Sequence, residues 1–129
     1  MSVIKILLVE DEKDIQLIVK IVLEKSGDFA IETFDDGISA LEHLSAERDR
    51  YDLAVVNFRL PGMHGLEFIR KMQAIPAYAD LPAILISAAL FERDLNGYED
   101  IGVLGLISKP FDVKGLPRQV MDLYRRRDG

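Results

Sequence analysis

The chain has 129 residues, of which 49% are apolar and 29% charged, and this length and composition predict a single globular domain spanning residues 1–129. Its 16 basic and 22 acidic side chains give a formal net charge of −6, which argues against nucleic acid as a partner because such binding depends on cations that neutralise phosphates. The absence of cysteine excludes disulfides, thiolate metal centres and a thiol nucleophile.

Apolar runs of strand length alternate with stretches of helical period along the chain. Strands are predicted at residues 3–9, 29–33, 53–56, 83–86 and 103–107. The first, third and fourth of these runs are the most continuously apolar, which places them in the middle of a sheet. The alternation is typical of an α/β fold in which helices cover both faces of a parallel sheet.

The first helix shows the clearest helical pattern. Ile15, Ile18, Val19 and Val22 lie at helical spacing on one face, and Gly27 is placed to end the helix. This pattern predicts that the four apolar side chains face the sheet.

The remaining helices are predicted with less regular patterns. The second covers about residues 36–44, and the third covers about residues 66–72 and stops before Pro76. The fourth, at residues 91–100, contains an Asn-Gly pair and is expected to be short or frayed. The fifth is interrupted by glycine and proline, so its regular part is expected to begin near Leu116.

The two histidines, His43 and His64, lie in polar stretches without a nucleophile motif such as GxSxG nearby. We interpret both as surface residues. The longest apolar run near the N-terminus, residues 6–9, is too short for a signal peptide or a membrane span. We therefore expect a cytoplasmic protein without a membrane partner.

Polar side chains follow four of the predicted strands, where an open parallel sheet places its ligand sites. They are Glu10, Asp11, Glu12, Asn57, Ser87, Ser108 and Lys109. Carboxylates, an amide, a hydroxyl and a lysine at one crevice predict a site for a hard divalent cation and a phosphoryl group. The alternative for the acidic residues is helix capping, with Asp11 as the N-cap of the first helix.

Four segments of the chain match motifs of a known family in their order and spacing. They are ILLVEDE (residues 6–12), NFRLPGMHGLEF (57–68), LISA (85–88) and SKPF (108–111). On these segments, and over essentially its whole length, the chain resembles the receiver domains of bacterial two-component response regulators. The resemblance implies a flavodoxin-like, doubly wound (βα)5 fold, with five parallel strands in the order 2-1-3-4-5.

The resemblance also implies roles for individual residues. In that family a sensor histidine kinase transfers a phosphoryl group to an aspartate at the end of the third strand, beside a bound magnesium ion. Carried over by motif, Glu10 and Asp11 are the acidic magnesium ligands, and Arg59 offers its backbone carbonyl. Ser87 fits the hydroxyl residue that contacts the phosphoryl group, and Lys109 fits the lysine that pairs with it.

Two positions depart from the family pattern. The phospho-acceptor position, which is also a magnesium ligand, is Asn57, whose neutral amide cannot form the acyl phosphate that a carboxylate forms. The amide also removes one negative charge from the site, so magnesium is expected to bind weakly. Leu106 occupies the switch position, where the family usually carries a Tyr or Phe that swings inward.

We interpret the chain as a receiver-type signalling domain of a phosphorelay that acts through protein contacts and is not an enzyme. Its expected partner is a sensor histidine kinase or another signalling protein, and a homodimer is compatible with this interpretation. One alternative is an ordinary phospho-accepting receiver in which Asn57 is an introduced substitution. The other is a flavodoxin-like binder of a small ligand, although the phosphate-binding motifs GxxxxGK[ST] and GxGxxG are absent.

Overall fold

The computed structural model describes residues 3–46, 50–88 and 102–128. In chain order, its strands and α-helices are β1 (Ile4–Val9), α1 (Lys13–Lys25), β2 (Phe29–Phe34), α2 (Gly37–Ala46), β3 (Leu53–Asn57), β4 (Arg59–Leu60), β5 (Met63–His64), α3 (Gly65–Gln73), β6 (Ala83–Ser87), β7 (Val103–Ser108) and α4 (Leu116–Tyr124). Short 3-10 helices cover Pro76–Tyr78 and Arg125–Asp128.

Five of these strands form a parallel sheet in the order β2-β1-β3-β6-β7. They are the five strands predicted from the sequence, and counted along the chain their order is 2-1-3-4-5, which confirms the expected fold. The three most apolar runs, β1, β3 and β6, lie inside the sheet, where both faces are covered. Every residue of β3 and β6 is buried.

Each face of the sheet carries its own apolar core, because successive side chains of a strand point to opposite faces. Ile6 and Leu8 of β1 belong to the core under α1 and α4, whereas Leu7 and Val9 belong to the core under α2 and α3. Phe68 of α3 is fully buried in the second core. Burial of a side chain of this kind stabilises the fold by about 1.5–3 kcal/mol.

Helix α1 ends where the sequence predicts, just before Gly27, which adopts a positive φ of 88°. Three of the four predicted residues face the core, since Val19 is buried and Ile15 and Val22 are half-buried against the core under α1 and α4. The buried residues are Gln16, Val19 and Leu23, whereas Ile18 is 39% exposed, so the prediction that Ile18 faces the sheet is wrong. Gln16 is buried instead, and its side chain donates hydrogen bonds to the Glu10 carbonyl and to Asp35.

The other described helices agree with their predicted positions. Helix α2 covers Gly37–Ala46, and α3 ends at Gln73, before Pro76. Helix α4 begins at Leu116, as expected from the glycine and proline around its start. The helix predicted at residues 91–100 lies outside the described residues.

The two histidines differ in exposure. His64 is exposed as predicted, with its ring centroid 4.3 Å from that of Phe58. His43 is only partly exposed, at 22% of its side chain, and its Nε2 lies 3.0 Å from the Tyr51 hydroxyl. That hydroxyl in turn donates to Glu32, so the contacts attach α2 to the edge strand β2. Among the helices described, none has the length and apolar character needed to cross a membrane.

Candidate functional site

The candidate site lies at the carboxyl ends of the parallel strands. Glu10 directly follows β1, Asn57 is the last residue of β3, Ser87 is the last residue of β6, and Lys109 directly follows β7. The side chain of Glu10 contacts those of both Asn57 and Lys109. The sequence therefore predicted correctly which edge of the sheet brings these polar side chains together.

Asn57 lies at the centre of the site and is 5% exposed. Its side-chain Nδ2 donates to Oε2 of Glu10 at 3.1 Å, to Oδ1 of Asp11 at 3.1 Å and to the carbonyl oxygen of Arg59 at 3.0 Å. Three oxygens therefore surround a single nitrogen that carries only two hydrogens. These are the carboxylates and the carbonyl that the family resemblance assigns to magnesium.

Glu10 supplies the deepest charge of the site and has no exposed surface. Its Oε2 also accepts a hydrogen bond from the backbone N–H of Glu12 at 3.1 Å, and its Oε1 lies 3.1 Å from Nζ of Lys109. Burial raises the pKa of Glu10, and the Glu12 N–H and the Lys109 ammonium oppose that rise. The buried carboxylate thus depends on Lys109 and Asn57 for compensation.

Lys109 is held in place by its backbone as well as by its charge. Its N–H donates to the carbonyl oxygen of Ser87 at 2.9 Å, and the peptide bond to Pro110 is cis. The side chain is 14% exposed, and its Nζ also lies 3.6 Å from Oε1 of Glu12. Ser87 itself is 2% exposed, so both residues assigned to phosphoryl contact lie at the inner side of the crevice.

The alternative in which Asp11 caps the first helix is wrong. The N-cap of α1 is Glu12, and no side chain of the cap residue bonds to the first turn. The Asp11 carboxylate instead accepts the hydrogen bond from Asn57, which offers it a donor from across the crevice. Asp11 is exposed on its outer side, so the crevice opens to solvent at this residue.

A short hairpin that the sequence did not predict positions the Arg59 carbonyl. Strands β4 and β5 pair antiparallel, with Arg59 opposite His64, and Gly62 turns the chain with a φ of 72°. Behind the hairpin, the N–H of Gly65 donates to the carbonyl oxygen of Phe58 at 2.7 Å. This contact joins the start of α3 to the residue that follows Asn57.

Gln16 is a supporting residue that sequence reasoning missed. Its Nε2 donates to the carbonyl oxygen of Glu10 at 2.9 Å and to Oδ1 of Asp35 at 2.9 Å. It therefore ties the loop after β1 to the loop after β2. The only signal in the sequence is a single amide beside an apolar face, which is too common to be diagnostic.

Leu106 lies in β7 opposite Leu85 of β6 and is half-buried. It packs against the core under α2 and α3. Its role as a switch position stays a prediction from the family resemblance.

The oxygen atoms of the site are chemically suited to a hard cation. The site carries one negative charge fewer, however, than it would with an aspartate at position 57. Carboxylate and carbonyl oxygens are the ligands that magnesium prefers, and three of them converge on one point. In the parts of the chain that the structure describes, no group of three or more Asp, Glu or His side chains is placed to hold a metal ion. Glu10, Asp11 and the Arg59 carbonyl, which the family resemblance assigns to magnesium, all accept hydrogen bonds from the Asn57 amide in this structure.

Comparisons with curated proteins found relatives in bacterial signalling. The chain is 30% identical to chemotaxis protein CheY-3 of Vibrio cholerae, over 95% of this chain and 92% of the relative. It is 29% identical to the cyclic di-GMP phosphodiesterase response regulator RpfG of Xanthomonas campestris, over 96% of this chain. That match covers 32% of RpfG, so the chain corresponds to about a third of that relative's length.

Solved structures agree with this result. The receiver domain of sensor histidine kinase PA1611 from Pseudomonas aeruginosa, described with a magnesium ion coordinated in its active site cleft, is 30% identical and superposes with a TM-score of 0.79. That alignment covers 99% of this chain and 100% of the other. The chemotaxis response regulator CheY4 of Vibrio cholerae, at 24% identity and a TM-score of 0.83 over 95% of this chain and 99% of that one, shares the fold.

A family model shows how much of the chain resembles these relatives. The model described as the response regulator receiver domain matches residues 6–121, which include every strand end that contributes to the site. The match runs through the sheet, both cores and most of α4. The chain therefore belongs to the family of response regulator receiver domains.

Proposed function

We propose that this receiver domain serves a two-component phosphorelay through protein contacts, in a state that neither needs nor can form an aspartyl phosphate. The observation that carries the proposal is the set of three hydrogen bonds from the Asn57 amide to Glu10, Asp11 and Arg59. The amide supplies positive hydrogen atoms at the point where the family's acidic ligands would meet a cation.

The hydrogen bonds of Asn57 support the proposal that magnesium binds weakly. For magnesium to use Asn57 as a ligand, the amide must turn its oxygen inward and give up its bonds to two carboxylates and a carbonyl. A hydrogen bond to a charged group contributes about 1.5–3 kcal/mol, so this loss competes directly with metal binding. The Asn57 amide thus already neutralises part of the negative charge of the two carboxylates. Magnesium would supply the same kind of neutralisation.

Leu106, at the switch position, supports a domain that has one dominant conformational state. A ligand shifts an equilibrium only by its differential affinity for two states, and an aromatic switch residue distinguishes those states in the family. Leucine has neither the ring nor the hydroxyl of Tyr, so we propose that phosphoryl chemistry would be poorly coupled to the surface near β7.

Helix α1 offers a contact surface for a protein partner. Leu17 is 57% exposed, Ile18 39% and Ile21 53%, and the three form a row on the outer side of the helix. The helix starts at Lys13, directly after the acidic residues of the site, so α1 connects this row to the crevice. We propose that this α1 row receives a helix of a sensor histidine kinase or of another signalling protein.

The first expected result concerns phosphoryl transfer. Incubation with acetyl phosphate and magnesium should leave the intact mass of the protein unchanged, because an amide is a poor nucleophile. The Asn57→Asp variant is the matched control and should gain one phosphoryl group. A phosphoryl group mapped by fragmentation to residue 57 of the unmodified chain would contradict the proposal.

The second expected result concerns the α1 row. Replacement of Leu17 and Ile21 by Glu should weaken binding to purified helical phosphotransfer domains of sensor histidine kinases by at least about tenfold, because charges replace two apolar anchors. The measurement is isothermal titration calorimetry. Ile38→Glu is the matched control, since Ile38 is also 53% exposed but lies on α2. Equal losses in both variants would show that the α1 row is not the docking surface.

A further inference from the structure

Strand β2 forms one edge of the sheet and pairs only with β1 among the described strands. The carbonyls of Asp28 and Phe34 face β1, where they accept hydrogen bonds from Ile4 and Glu10. Because backbone groups alternate along a strand, Ile31, in the middle of β2, directs its N–H and carbonyl away from the sheet. An unpaired edge of this kind is a template for another strand.

Two side chains of α1 bind both outward groups of Ile31. Oε2 of Glu24 accepts a hydrogen bond from the Ile31 N–H at 3.0 Å, and Nζ of Lys20 donates to the Ile31 carbonyl oxygen at 2.9 Å. The two side chains also bond to each other, with Nζ of Lys20 3.1 Å from Oε2 of Glu24. A donor and an acceptor are thus placed where the backbone of a neighbouring strand would supply them.

We propose that Lys20 and Glu24 form a clamp that closes this edge of the sheet, and so prevents β2 from pairing with β2 of a second copy of the chain. The clamp occupies the middle of a six-residue strand. It leaves outward backbone groups only at the two ends of β2, where too few remain in succession for a stable ladder.

A second ion pair in the same chain shows that the clamp is more than a common helix pair. Lys71 and Glu67 of α3 are also four residues apart, with Nζ 2.9 Å from the carboxylate, and within the described residues this pair has no hydrogen bond to a strand. An exposed ion pair of this type adds little to stability. The pKa of Glu24, in contrast, is held below its usual range chiefly by the Ile31 N–H and less by Lys20.

The clamp has apolar neighbours on the same helix. Leu17 and Ile21 flank Lys20 along α1 and are both more than half exposed. If the clamp is removed, a second copy paired at β2 would gain main-chain hydrogen bonds and cover apolar surface together. The clamp residues are therefore the point at which self-association would be controlled.

The test uses the full chain and two matched double variants. Lys20→Met with Glu24→Leu removes the clamp while keeping helix-forming side chains of similar size, and Lys71→Met with Glu67→Leu makes the same change on α3. Hydrogen exchange of the Ile31 amide, followed by NMR at micromolar concentration, should accelerate at least about tenfold in the clamp variant and stay unchanged in the α3 variant. Sedimentation velocity should then show a dimer that forms with increasing concentration only in the clamp variant.

A single variant separates the clamp from a general loss of stability. Glu24→Gln retains an oxygen that can accept from the Ile31 N–H, so exchange at Ile31 should remain within about threefold of the unmodified protein. Unchanged Ile31 exchange in the clamp variant would overturn the proposal. So would equal self-association of the two double variants, or accelerated exchange spread evenly over β1 and β2.

Discussion

Replacing Asn57 with Asp is expected to lower the free energy of unfolding of the metal-free protein by about 2–4 kcal/mol. The variant loses the only side-chain donor that bonds Glu10 and Asp11 together within the described site, and it places a third carboxylate about 3 Å from both. Glu10 has no exposed surface, so solvent cannot screen this repulsion well. Lys109 already contacts Glu10 and cannot compensate all three charges.

Magnesium should reverse this loss. A third carboxylate creates the charge density that the present site lacks, and a ligand that binds only the folded state stabilises it by about 2.7 kcal/mol at one hundred times its dissociation constant. We would measure urea unfolding of both proteins with a chelator and with millimolar magnesium. The unmodified protein should respond little. A variant that is as stable as the unmodified protein in chelator would show that the Asn57 amide does not compensate the site.

Sequence reasoning located the sheet because the strands inside it are buried on both faces and are therefore continuously apolar. The short hairpin at Arg59–His64 escaped prediction, since two-residue strands have no measurable period. Ile18 was misplaced because it lies at the margin of the apolar stripe of α1, whereas the polar Gln16 is buried through hydrogen bonds to Glu10 and Asp35. Helical spacing alone does not contain that information.

The candidate site, like the fold, was predictable from the sequence only in part. Residue types at strand ends are readable from the sequence, because parallel strands bring their carboxyl ends to one edge. The direction of the Asn57 amide is not, since the same side chain can present either its oxygen or its N–H₂. Which group points inward depends on Glu10, Asp11 and the Arg59 carbonyl together, and this choice distinguishes a metal ligand from a group that replaces the metal.

Gly65 sets how closely α3 approaches the site, and its replacement by Ala should be the most disruptive single methyl addition near Asn57. A Cβ at this position would stand 2.6 Å from the Asn57 carbonyl oxygen and 2.9 Å from Cα of Phe58. Both are backbone atoms, so neither can move aside by changing a rotamer. The start of α3 must shift instead, which weakens the 2.7 Å hydrogen bond from the Gly65 N–H to the Phe58 carbonyl.

We expect Gly65→Ala to lower the free energy of unfolding by about 3 kcal/mol, from overpacking together with the weakened hydrogen bond. Gly62→Ala is the control in the same hairpin, because its Cβ would meet nothing within 4 Å while its φ of 72° still disfavours a side chain. That conformational penalty is about 1–2 kcal/mol. Urea unfolding gives both values, and the side-chain amide resonances of Asn57 report whether its three hydrogen bonds survive. If Gly65→Ala costs no more than Gly62→Ala and leaves those resonances in place, the close packing of α3 against the end of β3 does not hold the site together.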